Sequence, residues 1–369
     1  MPTQQAPVAS GFNETDERRG PGPSIVAAAR VAAARVAEEA AAEDAAAAGD
    51  TTKQFDRLAG LKLDFKRKLL FYLMLGVLHV VSLIPDFVLY PLGIAGGYIS
   101  YLLDRRHVKI GMKNLAIAFP ERSETERRRI LRASYVNLGR SAAEYVRLGG
   151  FFHLRLRRKV AYDYGRYDYV RGVQYRLPRK GVLILTAHFG SFELLPTAHA
   201  MHGDQISLVH HTQRFLAGDA LMTWVRTRAG VEIVRKHSAA RAVLRTLRQG
   251  NLVGVPFDQN AKRSEAVFVP FFGEVAATSS GVARLVAHSG AAVVPVFIVR
   301  QPDGRTHRIE IHDELPIQRT GDAAADIEEN TRRFVAAVEV IVRRYPEQFL
   351  WTHRRYRTRP RGTPPIYDV

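Results

Sequence analysis

Apolar positions along this chain follow two different patterns. Between Leu61 and Arg106 they form two nearly continuous runs, Leu69–Ile84 and Phe87–Leu103, divided by Pro85-Asp86. From about Gly181 they break into short runs: VLILTA (182–187), QISLVHH, VEIVRK, LVGVPFD and AAVVPVFIVR. Unbroken apolar runs of this length are the mark of strands buried on both faces. Between them lie stretches of helical period, SAARAVLRTLRQG closed by Gly250 and SSGVARLVAHSG closed by Gly290. Strand–helix alternation predicts an α/β layer fold with a largely parallel central sheet flanked by helices. THRIEIHDEL adds an antiparallel strand, and Ala323–Arg344 reads as a long final helix.

The two long runs predict contact with a membrane. Each is short of the ~20 apolar residues that a single spanning helix needs. Pro85 breaks the path between them, and Gly93, Gly96 and Gly97 lower helix propensity in the second. Lys62, Lys66, Arg67 and Lys68 precede the pair, and Arg105, Arg106 and Lys109 follow it. With both ends in the cytosol, the segment is a hairpin dipping into the bilayer, in keeping with the positive-inside tendency. If Leu69–Ile84 spans alone, the second run becomes an interfacial or core helix; the alternative, to which His79 and the short lengths point, is that both runs are buried core helices of a soluble protein. Ahead of these runs, Ile25–Gly49 is mostly alanine with almost no large apolar side chain, so nothing would hold a helix there to a core. No signal-peptide pattern is present. The expected organisation is a disordered alanine-rich tail over 1–58, a membrane-associated helical segment over 59–105, an α/β domain over 106–360 and a C-terminal tail over 361–369.

Charge narrows the partners. The 369 residues include 54 Lys and Arg against 36 Asp and Glu, a net charge of +18. An excess this large favours anionic partners: nucleic acid, anionic head groups or an acidic protein. No zinc-finger spacing or RNA-binding aromatic signature accompanies the arginines, so nucleic acid is not expected. The sequence has no cysteine. That excludes disulfides, thiolate metal sites and a cysteine nucleophile, and fits a face exposed to reducing cytosol.

Candidate chemistry concentrates in HFGSFE, directly after VLILTA. Ligands of open α/β sheets bind beyond the carboxyl ends of the strands. His188 and Glu193 would diverge by roughly 140° on a regular helix. They meet only if His188 lies in the loop and Glu193 in the first turn of the next helix, with Gly190 as a flexible turn and Ser191 as N-cap. So placed, Glu193 accepts a hydrogen bond from one imidazole nitrogen and leaves the other as a base. No serine sits in a G-x-S-x-G elbow, which argues against a covalent acyl-enzyme. A His–carboxylate pair suits direct deprotonation of a hydroxyl instead. Metal binding is the rival reading, through the adjacent His210 and His211 and the more distant His199, but no H-E-x-x-H or comparable ligand spacing supports it.

Four separated segments carry a family resemblance: RRHVKIGMKNLAIAFP, AHFGSFELL, FDQNAKRSEAVFVPFFGEVAATSSGVARLVAHSGAAVVPVF and YPEQFLWTHRRYRTRP. In this order and spacing, residues 105–360 resemble the late acyltransferases of lipid A biosynthesis, lauroyl and myristoyl transferases of Gram-negative inner membranes. The resemblance implies the glycerolipid acyltransferase-like fold with an H-x4-D/E dyad, matched by His188 and Glu193, and makes 106–360 the catalytic domain. It implies transfer of a fatty acyl chain from acyl carrier protein, as co-substrate and with no cofactor or metal, to a hydroxyl of a lipid A precursor. It also implies the cytosolic face of the inner membrane, with membrane lipids as further partners. Another glycolipid acceptor, such as a phosphatidylinositol mannoside, is the alternative within the class. A non-catalytic basic protein that binds membrane or nucleic acid is the alternative outside it.

Other residues follow. Arg226, in WVRTRAG, resembles an arginine of the family, with Arg228 an ambiguous neighbour. A guanidinium there either clamps a phosphate or thioester oxyanion or is a solvated surface group. Asp258, at the end of LVGVPFD and followed by Gln259, either positions the acceptor sugar, orients an arginine or caps the strand. VFVPFFG (267–273) either lines an acyl channel or packs in the core. In THRRYRTRPRG, Arg354 and Arg355 are candidate substrate-binding groups among five arginines, against the reading of a solvated cationic tail.

Overall fold

The computed structural model describes residues 63–151, 153–162, 170, 172–173, 181–210, 212–235 and 239–368. The alanine-rich tail expected over 1–58 lies outside them, as does His211. The chain enters through helices α1 (Phe65–Ser82) and α2 (Asp86–Leu103), which hold the two apolar runs. Asp64 caps α1 by accepting a hydrogen bond from the Arg67 amide, and Pro85 stands at the entrance to α2. Both helices leave large apolar side chains exposed, among them Leu69, Leu73 and Val80 on α1 and Phe87, Ile99 and Leu103 on α2. Among the described residues only α2 is long and apolar enough to cross a membrane by length and composition. The first turn of α1 carries Lys66, Arg67 and Lys68.

The glycines of α2 do not interrupt it. They let it press against helix α4 (Glu124–Gly149), which follows α3 (Arg105–Ala118). A Cβ at Gly93 would fall 2.6 Å from the Gly139 carbonyl oxygen, and one at Gly97 would collide with the Tyr135 carbonyl. Small residues four apart that let two helices approach are a packing device common inside membranes. Propensity alone therefore misjudged this run: close contact with α4 offsets the intrinsic cost of glycine. The turn between α1 and α2 is clamped by Arg147, which donates to the Ser82 and Ile84 carbonyls and pairs with Asp86 at 2.7 Å.

The α/β body is built from β1 (Val160–Tyr162), β2 (Val182–Thr186), α5 (Leu194–Met201), β3 (Ile206–His210), α6 (Leu216–Arg228), β4 (Glu232–Arg235), α7 (Ala239–Arg248) and β5 (Leu252–Pro256). It continues with β6 (Ala266–Phe271), β7 (Glu274–Ser279), α8 (Gly281–Ser289), β8 (Ala292–Arg300), β9 (His307–Ile311) and α9 (Ala323–Arg344). The main sheet runs β1-β9-β8-β2-β5-β3-β4. Its centre, from β8 to β4, is parallel, and β9 pairs antiparallel with β8. Every residue of β2 and of β8 is buried, which accounts for their unbroken apolar sequences. The predicted strands, the closing Gly290 in left-handed conformation and the final helix over Ala323–Arg344 all appear.

Helices cover both faces of the sheet. α5 packs on β3 and β8, α7 lies on β3, β4 and β5, and α9 touches β8. Residues 267–273 form most of strand β6, which pairs with β7, and the tip of that hairpin. Val269, Phe271 and Phe272 join a core of Phe119, Phe349, Trp351 and Tyr356.

Candidate functional site

Three strand ends meet at the carboxyl edge of the sheet. His188 follows β2, His210 ends β3 and Asp258 follows β5; β5 is hydrogen-bonded to both β2 and β3. After His188 the chain reverses at Gly190, whose φ is +60°. A Cβ there would collide with the Ile298 carbonyl, so only glycine permits this turn. Ser191 does not cap α5. Its carbonyl accepts the Leu194 amide, and the helix begins two residues later than an N-cap at Ser191 would place it, with Glu193 at the N-cap position.

The turn separates the two groups of the H-x4-E motif. His188 Nδ1 lies 2.9 Å from Asp258 Oδ1, with the carboxylate 1% exposed and the imidazole 21%. Glu193 is engaged elsewhere: its oxygens accept from Arg226 Nε at 2.8 Å and Nη2 at 2.6 Å. The hydrogen bond expected from His188 to Glu193 is thus made to Asp258, because β5 brings a carboxylate beside the imidazole while α6 brings a guanidinium beside Glu193. His188 still feels the charge of Glu193.

The surrounding charges set the protonation of both groups. Burial disfavours the imidazolium of His188, but the charge and hydrogen bond of Asp258 outweigh it and hold the pKa above the ordinary 6.5. Burial likewise opposes the Asp258 carboxylate, and the charge and hydrogen bonds of His188 overcome it, so its pKa lies below the usual range. The amide nitrogen of Gln259 stands 3.3 Å from His188 Nε2 and 3.4 Å from Nδ1, beside both ring nitrogens.

A second network continues from Glu193. Arg226 Nη1 donates to His210 Nδ1 at 2.9 Å, and His210 Nε2 donates to Asp219 Oδ1 at 2.6 Å, itself paired with Arg235 at 3.1 Å. With Nδ1 accepting and Nε2 donating, His210 is a neutral imidazole. Burial, followed by the charge of Arg226, accordingly lowers its pKa despite Asp219. Sequence reasoning treated His210 only as a metal candidate; its place at a strand end was the signal for this role. Among the described residues no group of three or more His, Asp and Glu is arranged to hold a metal ion.

Both networks border one cavity of 490 Å³. His188, Glu193, His210, Arg226 and Gln259 form its polar side, and Ile184, Ile206, Leu208, Met222 and Val255 its apolar wall. Gly254 lies in that wall. None of residues 267–273 contributes to it. A polar rim over a deep apolar wall can seat a hydrocarbon chain with its reactive end at His188.

The remaining sequence candidates lie apart from this cavity. Arg228 rests over the Trp224 ring, 5.2 Å from its centroid. Arg355 is buried, donating to the Ala277 carbonyl at 2.8 Å and to the Thr278 hydroxyl at 2.5 Å, where it fastens the C-terminal segment to the hairpin. Arg354 is part-exposed in the same segment. His353, not singled out in the sequence, accepts the Asn260 amide through Nε2 at 3.0 Å, two residues beyond Asp258.

Comparison with known proteins addresses the class of chemistry. Residues 60–358 match the profile of the family described as bacterial lipid A biosynthesis acyltransferase. The chain is 30% identical over 297 residues to the lipid A biosynthesis lauroyltransferase of Escherichia coli K12, covering 80% of this chain and 94% of that protein. It is 29% identical over 299 residues to the palmitoleoyltransferase of the same organism, covering 79% and 92%. It is 27% identical over 251 residues to the myristoyltransferase, covering 68% and 75%.

Proposed function

Because the chain belongs to the bacterial lipid A biosynthesis acyltransferase family and is therefore an acyltransferase, we propose that it moves a fatty acyl chain from acyl carrier protein to a hydroxyl of a lipid A precursor. The observation that carries this reading is the imidazole of His188, held through Nδ1 by a buried carboxylate at the mouth of an apolar cavity.

His188 Nε2 takes the proton of the acceptor hydroxyl, and the oxygen attacks the thioester carbonyl of a chain lying along Ile206, Leu208 and Met222. The new C–O bond forms, the C–S bond breaks, and the imidazolium returns its proton to the departing thiolate. Asp258 fixes the tautomer and steadies the imidazolium. Glu193 acts through Arg226, keeping that guanidinium at the cavity wall where charge develops on the carbonyl oxygen. The motif pair is thus served by two carboxylates with separate tasks.

The exposed apolar surfaces of α1 and α2 support a seat on a membrane, and the basic residues at both ends of the hairpin favour the cytosolic leaflet of the inner membrane. An acidic carrier protein and a phosphorylated glycolipid both suit a net charge of +18. The test supplies membranes containing the protein with acyl carrier protein thioesters and a tetra-acylated lipid A precursor. The acceptor should gain the mass of one acyl chain, and His188→Ala should abolish the gain. Full transfer by the variant overturns the mechanism, and no gain with any lipid acceptor overturns the function.

A further inference from the structure

Helix α4 carries an unusual stripe. Arg129, Arg132, Val136 and Arg140 recur at the three- and four-residue spacing of one helix face. That face borders a cavity of 730 Å³, closed by Tyr98 of α2, by the end of β8 at Arg300 and by the turn containing Gln348. This cavity is distinct from the one at His188 but opens on the same carboxyl edge of the sheet, one strand along.

None of Arg129, Arg132 and Arg140 has a carboxylate of the described residues within ion-pair distance. The nearest buried carboxylate, Glu144, is already taken by Arg300 through both nitrogens and by His307 at 2.8 Å. Burial and the charge of Arg300 work against the cation at Arg140, and the charge of Glu144 only partly offsets them. Glu347 at the rim supplies one negative charge against three positive ones. Arg140 is half-buried and Arg129 and Arg132 are exposed at the cavity's mouth; guanidiniums gathered on one face without a paired carboxylate can take phosphate oxygens.

The apolar surroundings indicate what carries the phosphate. Tyr98 is continuous along α2 with exposed Ile99, Leu102 and Leu103, and Leu138 of α4 is exposed beside the stripe. We propose that the cavity between α2, α4 and the end of β8 binds the phosphate of an anionic lipid whose chains lie along α2. The site rests on the reading of α1–α2 as a membrane-facing hairpin and extends it with a defined head-group pocket. It also touches the catalytic turn. The Gln348 side chain holds both backbone groups of Arg300, and its carbonyl accepts the Gly190 amide at 2.9 Å. A lipid phosphate bound here would lie one residue away from the chain reversal that follows His188.

The experiment uses the full chain and the charge-removing variant Arg129→Gln/Arg132→Gln/Arg140→Gln. As a control with the same loss of charge, Arg241→Gln/Arg245→Gln/Arg248→Gln alters exposed arginines of α7. Binding is measured by flotation with phosphatidylcholine vesicles, with and without phosphatidate. Wild type and control should prefer phosphatidate vesicles, and the α4 variant should bind them roughly a hundredfold more weakly than wild type. The corresponding triple Lys variant should recover part of the loss. Equal weakening by the α7 control would mean a general field and overturn the site. Thermal stabilisation by inorganic phosphate equal to that by dioctanoyl phosphatidate would mean a free-anion site and overturn the lipid. Failure of wild type to float with any vesicle would instead refute the membrane-facing hairpin, so the two failures are distinct.

Discussion

At the scale of single residues, the site separates two carboxylates that a motif would treat alike. Asp258 touches the imidazole, and Glu193 touches the guanidinium of Arg226. Asp258→Asn keeps the volume and removes the charge that stabilises the imidazolium, so acyl transfer should fall by about 10²–10⁴ with little change in melting temperature. The pH profile should move as well. A base must be neutral, so wild-type activity is lost as pH falls through the pKa of His188, above 6.5. In Asp258→Asn that acid limb should shift to lower pH; an unmoved limb would remove Asp258 from its assigned role. Glu193→Gln should behave differently. It strands a guanidinium that is 8% exposed, at a cost of about 2–4 kcal/mol, moderated because Glu193 is itself 17% exposed. Thermal unfolding and acyl transfer should both suffer, and the limb should move less than in Asp258→Asn.

At the scale of elements, two glycines carry opposite meanings. On α2, Gly97 faces the backbone of α4, whereas a Cβ at Gly96 would meet open space. Gly97→Ala should destabilise the detergent-solubilised protein by about 1–3 kcal/mol. Gly96→Ala should stabilise it by up to about 1 kcal/mol through helix propensity. Equal melting temperatures would refute the close contact. On β5, a Cβ at Gly254 would sit 3.5 Å from Leu208 Cδ1 and 3.8 Å from Ile206 Cδ1, at ordinary contact distance inside the wall of the cavity. Gly254→Leu should therefore fold and shorten that wall. One methylene too many costs about 1–3 kcal/mol in an apolar pocket, so the variant should favour shorter acyl donors in a competition assay read by mass spectrometry. An unchanged chain-length profile would place the acyl chain elsewhere.

At the scale of the whole molecule, the strands were legible because burial on both faces leaves an unbroken apolar signature in β2, β5 and β8. Their order in the sheet was not. Nothing in LVGVPFD announces that it pairs with VLILTA, and this pairing sets Asp258 beside His188. The C-terminal arginines misled for a related reason: composition suggested a solvated or lipid-binding tail, whereas Arg355 and Arg359 donate to carbonyls of the hairpin. That segment is a strap. Leu350 bonds back to the His188 carbonyl, His353 accepts the Asn260 amide, and Tyr367 donates to Asn114 Oδ1 on α3. The bond from Asn260 requires a neutral imidazole. Burial, with the charges of His188, Arg355 and Arg357 added and only Asp258 opposing, lowers the His353 pKa to about 4. A folded pKa below the unfolded 6.5 gives a contribution complete above pH 6.5 and lost as pH falls through about 4. The shift corresponds to about 3 kcal/mol, reduced to roughly 2 kcal/mol because the ring is partly exposed. His188, with its raised pKa, works in the opposite direction, so wild type must be compared with His353→Asn at each pH. Urea unfolding should show the two curves converging as pH falls from 6.5 to 4. Parallel curves would mean that His353 is already charged and that the strap is held by its arginines alone.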